Sequence, residues 1–281
     1  MRSLLKLRLM ENYRDFLGLG IAGNFALHLA QAGELEDFKE IITAEEAAPK
    51  GVFPFYLPHH NSKLSIYPLS SSTIKLKDDK TNTQIEPEVA LICELEYKDD
   101  LVKSIKPTHF GAYNDCSLRV AGATKISQKK NWGENSKGLS QTLLKLNSFS
   151  SGSILDNYAI SSFLKREDKL YQYGEDVELL GYSYFYEKLL EWIKNQLNTQ
   201  KDFGPLEDIK SYIKECNYPK KAIISIGATR YTEFGEHTFL KDNDEIFVAL
   251  YDKTKHNNIA LALTKETISD DISLLHQKVK L

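Results

Sequence analysis

The sequence predicts a β-rich α+β protein, with a curved or sandwich-like sheet architecture and helices inserted into it. Strand-like segments such as EVALICELEY (88–97) and EIFVALYD (245–252) dominate the pattern. The elements do not repeat as βαβ units, which argues against a doubly wound parallel sheet. With 281 residues, the chain is long enough to bury a substantial core in one large domain.

Taken in order, residues 22–32 (AGNFALHLAQA) predict an Ala- and Leu-rich helix, with Gly33 placed to stop it. Residues 44–84 read as a long irregular stretch broken by Pro49, Pro54, Pro58 and Pro68. Within it, SSSTIKLKDDKTNTQ is a short strand followed by a polar turn. Residues 88–97 are the best strand of the first half. Residues 153–182 read as short strands with turns at Gly174 and Gly181. Ser183 then caps a helix to about Leu197, in which Phe185, Leu189, Trp192, Ile193 and Leu197 keep helical spacing. Gly204-Pro205 opens a second helix, with proline at its first position. Strands at 222–229 and 245–252 flank a turn at 241–245, and NIALALT (258–264) is a further strand candidate.

Charge and cysteine usage narrow the function class. The formal net charge is −3, which gives no basic field for general nucleic-acid binding. Cys93, Cys116 and Cys216 are widely separated and odd in number, so they read as reduced thiols of a cytosolic protein. Arg2, Lys6 and Arg8 interrupt the start Met1–Met10, so neither a signal peptide nor a membrane span is expected there.

Gly18, Gly20 and Gly23 spell G-L-G-I-A-G, the spacing of a dinucleotide-binding loop. The flanking segments lack the two buried strands and the terminal acidic residue such a unit needs, so the glycines read as turn residues.

Carboxylates carry a stronger signal. In QIEPEVALICELEY, Glu86 and Glu88 are two apart and share one face of a strand, about 6.6–6.8 Å apart. Two carboxylates held that way repel unless a cation lies between them. Pro87 places the pair at an edge, a bulge or a strand start. The alternation continues through Glu94 and Glu96, so a solvated strand face is the competing reading. Asp115, in HFGAYNDCSLR, would complete an oxygen site for Mg²⁺ or Mn²⁺ with positions left open, or serve as an ordinary Asx turn. His59-His60 sits in a Pro-flanked loop where adjacent side chains point apart, and is left out. Tyr182, Tyr184, Phe185 and Tyr186 read as core or dimer interface.

Several segments, in shared order and rough spacing, resemble the fumarylacetoacetate hydrolase superfamily over most of the chain. GNFALHLAQAGE (23–34) is similar to its G-x-N-Y-x-x-H-x-x-E segment, and PKGVFPFY to its Pro-rich stretch leading to Phe. EPEVAL resembles the E-x-E metal strand, and YNDCSLR the N-D-x-[ST]-x-R segment. NSKGLS resembles the neighbourhood of the catalytic lysine. ISIGAT resembles the T-G-T-P turn, and FLKDNDEIFV the L-x-x-G-D-x-[IV] segment. A divergent bacterial branch of unassigned function fits this pattern.

The resemblance implies a mixed β-roll or β-sandwich with peripheral helices, formed by one domain over 1–281. In it, a helix and irregular segment (1–80) pack on a β-roll core (81–281). It also implies a cytoplasmic homodimer that binds Mg²⁺ or Mn²⁺, with Ca²⁺ as a third candidate, and acts on a small oxo-acid. Glu86, Glu88 and Asp115 match the metal ligands. His28 matches the general base, Lys137 the group that stabilises an oxyanion, and Arg119 and Thr229 residues that touch substrate or support the ligands. Hydrolytic or lytic C–C cleavage of an acylpyruvate or β-diketo acid follows. Decarboxylation, isomerisation or a catalytically silent metal- or ligand-binding role are the alternatives.

The departures are specific. Gln31 stands where the family has the glutamate partner of its histidine, and Glu34 is the candidate replacement. Arg230 replaces the proline of T-G-T-P, and Gly122 stands near the place of a missing glutamine. Lys129 and Lys130 are alternatives to Lys137.

Overall fold

The computed structural model describes residues 13–264 and 268–281. The segment Met1–Met10 lies outside them. The longer strands are β1 (Leu17–Ala22), β2 (Gly51–Tyr56), β3 (Pro87–Lys98), β4 (Leu101–Asn114), β5 (Lys137–Leu139), β6 (Tyr158–Arg166), β7 (Lys169–Glu178), β8 (Lys221–Ser225), β9 (Glu245–Asp252) and β10 (Ser273–Lys280).

The larger sheet runs β2-β1-β8-β3-β4-β5 and ends on Leu69–Ser70, with Leu144–Lys145 pairing β4. The second runs β7-β6-β9-β10 and ends on Thr73–Lys75. Most pairings are antiparallel, but β1 and β8 are parallel, so the large sheet is mixed. A third, two-stranded ladder joins Thr83–Gln84 to Ser117–Leu118. The largest buried apolar cluster takes Leu91 and Phe110 from the first sheet and Ile160, Val248 and Leu275 from the second. The architecture is α+β and strand-rich, as the sequence predicts.

Several elements differ from expectation. All six residues of β1 are buried, so Gly18 and Gly20 are strand positions and not turn residues. A Cβ on Gly20 would lie 2.3 Å from the Phe53 ring, and one on Gly18 2.5 Å from Phe55. The glycines are there so that β2 aromatics can lie flat across β1. Gly23, at φ +74°, does turn the chain. The helix expected over 22–32 shrinks to α1 (His28–Gln31), because β1 runs to Ala22 and both Gly23 and Leu27 lie at positive φ, +74° and +70°, which no helix continues through. Residues 44–84 are less irregular than their prolines suggest: Gly51–Tyr56 pairs along β1 as β2, with Pro54 in it.

Gly174 lies inside β7, where a Cβ would meet Ser162 Oγ at 2.6 Å; the hairpin turns at Glu167 instead. After α2 (Ser127–Lys130), the long α3 (Tyr186–Thr199) buries Leu189, Ile193 and Leu197 on one stripe. It starts after Phe185 and not at Ser183, whose N–H donates to Asn24 O at 2.9 Å. α4 (Ile209–Glu215) is capped by Asp208, whose side chain accepts from Ser211 N, so Pro205 lies before the helix. Following the short α5 (Glu233–Glu236), NIALALT forms a helix, α6 (Ile259–Thr264), in place of a strand. Among the described residues no helix is long and apolar enough to cross a membrane. Cys93, Cys116 and Cys216 are free and buried.

The β3–β4 hairpin positions the site. It closes through Asp99 and Asp100, both at positive φ (+53° and +61°), as a tight two-residue turn requires. The first seven residues of β3 are buried, and Glu94 and Glu96 on the later half are exposed. The solvated-face reading therefore holds for that later half only.

Candidate metal centre

Glu86, Glu88 and Asp115 come together because β3 begins opposite the end of β4, with Pro87 paired to Asn114. Asp115 N donates to Glu86 O at 2.9 Å, and Glu86 N to Asn114 Oδ1 at 3.2 Å. One carboxylate oxygen from each of the three lies within 4.8 Å of the others. All three residues are buried, at 2%, 1% and 0% exposure. Burial at this depth is costly for a carboxylate unless a cation or hydrogen bonds answer its charge.

Glu88 is held by Gly227, whose N–H donates to its Oε2 at 3.0 Å. Gly227 sits at φ +110°, a conformation that favours glycine, with Asn24 Cβ 3.0 Å from where its own Cβ would be. Thr229 is buried on the same turn. Its N–H donates to Pro87 O at 3.1 Å and its hydroxyl points to the same carbonyl at 3.4 Å. It therefore holds the backbone between the two glutamates.

Three cations answer the carboxylates. Lys130 Nζ hydrogen-bonds Glu86 Oε2 and lies 2.7 Å from Asp115 Oδ2. Arg119 Nη2 lies 2.8 Å from Glu86 Oε1; its Nη1 donates to Glu34 Oε1 at 3.0 Å and its Nε to Gln84 Oε1 at 2.6 Å. Lys137 Nζ is 3.3 Å from Asp115 Oδ1 and donates to the carbonyls of Asp115 and Cys116. With three acceptors around it, the Lys137 ammonium stands behind Asp115 and is fully used. Lys130 instead lines the cavity in front of the triad. Of the lysine alternatives, Lys129 binds Glu34 and Asp37, at 2.8 and 2.9 Å.

The charge balance is uneven. Burial disfavours ionised Glu86, but Lys130 and Arg119 outweigh it and hold its carboxyl well below the usual range. Burial and then the Asp115 charge push Glu88 well above it. Among the described residues Glu88 has no ion-pair partner. Burial alone would lower the Lys130 pKa, yet Asp115 and Glu86 raise it. For Lys137 burial prevails and the pKa falls.

His28, at the start of α1, faces the same cavity. Its Nδ1 is buried without a partner, and its ring packs edge-on to Tyr231 at 5.1 Å between centroids. Burial lowers its pKa to about 4, so it is neutral at pH 7. Gln31 does not turn to the histidine. It clamps the Tyr231 backbone, accepting from its N at 2.9 Å and donating to its O at 3.0 Å. Glu34 is committed to Arg119 and Lys129 and makes no hydrogen bond to His28.

An all-oxygen, all-carboxylate set suits a hard divalent cation. Glu86 Oε1 and Asp115 Oδ2 are buried and held by charge, Arg119 Nη2 lying 2.8 Å from the first and Lys130 Nζ 2.7 Å from the second, so a metal at the triad would meet those cations. The donors fit, while the place between Glu86 and Asp115 is taken by the Lys130 ammonium. The cavity in front of the triad has about 20 Å³, the space of a single water. A larger one of about 280 Å³ lies on the far side of Glu34, lined by Gly33, Asp37, Arg119, Gly122 and Lys129.

A family model described as "Family of unknown function (DUF5718)" matches residues 34–279. The chain belongs to this family. No curated protein matches the sequence. Among solved structures, an inhibitor complex of Cg1458 aligns with a TM-score of 0.53 at 17% identity, covering 94% of this chain and 76% of that one. A 2-keto-3-deoxy-D-arabinonate dehydratase complexed with magnesium and 2,5-dioxopentanoate aligns at 0.53 and 15% identity, covering 94% and 72%. A protein from Yersinia pestis CO92, described as of the fumarylacetoacetate hydrolase family, aligns at 0.51 and 12% identity, covering 94% and 92%. This DUF5718 member thus has the fumarylacetoacetate hydrolase fold, and at such identities the likeness is one of fold.

Lys130 is the group that sequence reasoning underweighted in favour of Lys137. Both lysines of SQKKNW are buried, and nothing in that segment marks Lys130 as the one that reaches the triad.

Proposed function

We propose that this chain is a divalent-metal-dependent hydrolase or lyase of a small oxo-acid, cleaving a carbon–carbon bond in an acylpyruvate or related β-diketo acid. The observation that supports it most is the buried triad beside an unpartnered histidine. The magnesium and 2,5-dioxopentanoate seen in the dehydratase complex supply a precedent on this fold for both metal and substrate class. Glu86, Glu88 and Asp115 would hold Mg²⁺ or Mn²⁺, with Ca²⁺ sharing the oxygen preference. When bound, the ion supplies Lewis-acid polarisation of the substrate's oxo and carboxylate oxygens.

The chain's own groups do the rest. Neutral His28 takes a proton from water adding to the distal carbonyl, and returns it to the carbon released when the bond breaks. A lysine ammonium offsets charge on the tetrahedral oxygen. Lys137 is the residue implied by resemblance; Lys130 faces the cavity, and Lys137 steadies Asp115. Arg119 and Thr229 hold the ligands from behind, and Arg119 with Glu34 borders the larger cavity from which an oxo-acid would approach. Glu34 favours the protonated state of His28 through its charge. The same reading takes the protein as a cytoplasmic homodimer acting through one domain.

Gln31 favours a second reading. Without a carboxylate partner for His28, the site supports decarboxylation or isomerisation better than hydrolysis, or a silent role in metal or ligand binding. Turnover of oxaloacetate and acylpyruvates by the Mn²⁺-supplemented protein, lost in Glu88→Ala, supports the enzyme. Metal binding without turnover across a broad oxo-acid panel would favour the silent role.

A further inference from the structure

We propose that the Lys130 ammonium is a resident cation of the carboxylate triad, and that a divalent metal must displace it to bind. The inference rests on the metal reading above and adds a competitor to it.

The geometry is specific. Lys130 Nζ bridges Glu86 and Asp115, two of the three candidate ligands, and lies over the Phe53 ring at 5.2 Å from its centroid. The cavity it lines has about 20 Å³, the space of a single water, so an ion entering the triad meets the ammonium there. Two cations on the same carboxylates would also repel strongly in so dry a place. The third carboxylate, Glu88, receives no ammonium, and Asp115 keeps Lys137 behind it when Lys130 leaves.

The backbone that carries Lys130 is held on both sides, with Asn131 Nδ2 donating to Phe55 O at 2.8 Å and to Ile66 O at 3.0 Å, so withdrawal falls to the lysine side chain. α2 is a single turn of four residues, with no side-chain cap at its start. It is tied down through Ser127 Oγ to Glu207 at 2.6 Å and through Lys129 to Glu34 and Asp37. Lys130 is its last residue, and the chain after it is extended at Asn131. Its side chain can therefore withdraw from Glu86 and Asp115 without disturbing β3 or β4. As a flexible four-carbon stem with a point charge, lysine suits a removable plug better than a planar arginine fork would. The centre is then charge-compensated in both forms, by lysine without metal and by metal with the lysine withdrawn.

The test is calorimetric titration of the EDTA-stripped full chain with Mn²⁺ and with Mg²⁺, beside Lys130→Met. The competition predicts measurable metal binding by the wild type and at least tenfold tighter binding by the variant. Equal or weaker binding by Lys130→Met, with the wild type still binding, overturns the competition and leaves the metal reading standing. Absence of binding in both overturns the metal reading and the competition with it. Should Lys130→Met fail to fold, a crystal structure of the wild type grown with Mn²⁺ decides. Mn²⁺ at the triad with Lys130 Nζ withdrawn from Glu86 and Asp115 supports the proposal, and Mn²⁺ there with Lys130 still bridging overturns it.

Discussion

His28 and Glu207 show how burial alone can set the chemistry of a residue. Burial keeps His28 neutral at pH 7, and no hydrogen bond claims its Nδ1. If it is the base, His28→Gln lowers turnover by about 10²-fold or more while leaving the thermal response to Mn²⁺ in place, a separation that paired activity and melting assays read directly. Glu207 is buried against Ser127, and burial raises its carboxyl from 4.5 to about 7. The folded protein therefore keeps a proton that the unfolded chain releases. This group's contribution to stability is complete below pH 4.5 and is lost as pH rises through about 7. Glu207→Gln removes that loss, so relative to wild type it gains about 2–3 kcal/mol between pH 5 and pH 8 in urea unfolding. At this scale the triad was legible, because E-P-E at a strand start and N-D after an aromatic are compact signals. The role of Lys130 was not, since its burial depends on where a four-residue helix packs.

At the scale of elements, the hairpin that carries the site is half legible. β3 announces itself as an apolar run, whereas β4 hides behind Pro107 and Gly111 and alternates only loosely. β10 was overlooked although SLLHQKVK alternates along most of its length, buried against exposed. The G-L-G-I-A-G segment misleads for a physical reason. Its first two glycines serve aromatic packing between strands, which produces the same spacing as a phosphate loop. Gly20→Ala tests this. With 2.3 Å between the new Cβ and the Phe53 ring, the substitution should cost about 1–3 kcal/mol, seen as a lower urea midpoint at unchanged m. A phosphate-loop role would instead show as nucleotide binding by the wild type.

At the scale of the whole molecule, two sheets share one apolar cluster, so their stabilities are linked. Leu91 on β3 of the first sheet and Leu250 on β9 of the second are fully buried in it. Leu250→Ala should cost about 2–5 kcal/mol and move the far-UV CD and tryptophan-fluorescence transitions together. The fold also sets the depth of the site. The start of β3 and the end of β4 place the carboxylates at one end of the hairpin, and His28 of α1 and Lys130 of α2 line the cavity in front of them. The most direct measurement of the central claim is thermal unfolding of the EDTA-stripped protein, titrated with Mn²⁺ beside Glu88→Gln. Glutamine keeps an acceptor for Gly227 and breaks no ion pair of the described residues. At a hundred times its dissociation constant, the metal should add about 2.7 kcal/mol to wild-type stability and far less to the variant. Equal shifts in both proteins, or none in either, would contradict a metal centre at Glu86, Glu88 and Asp115.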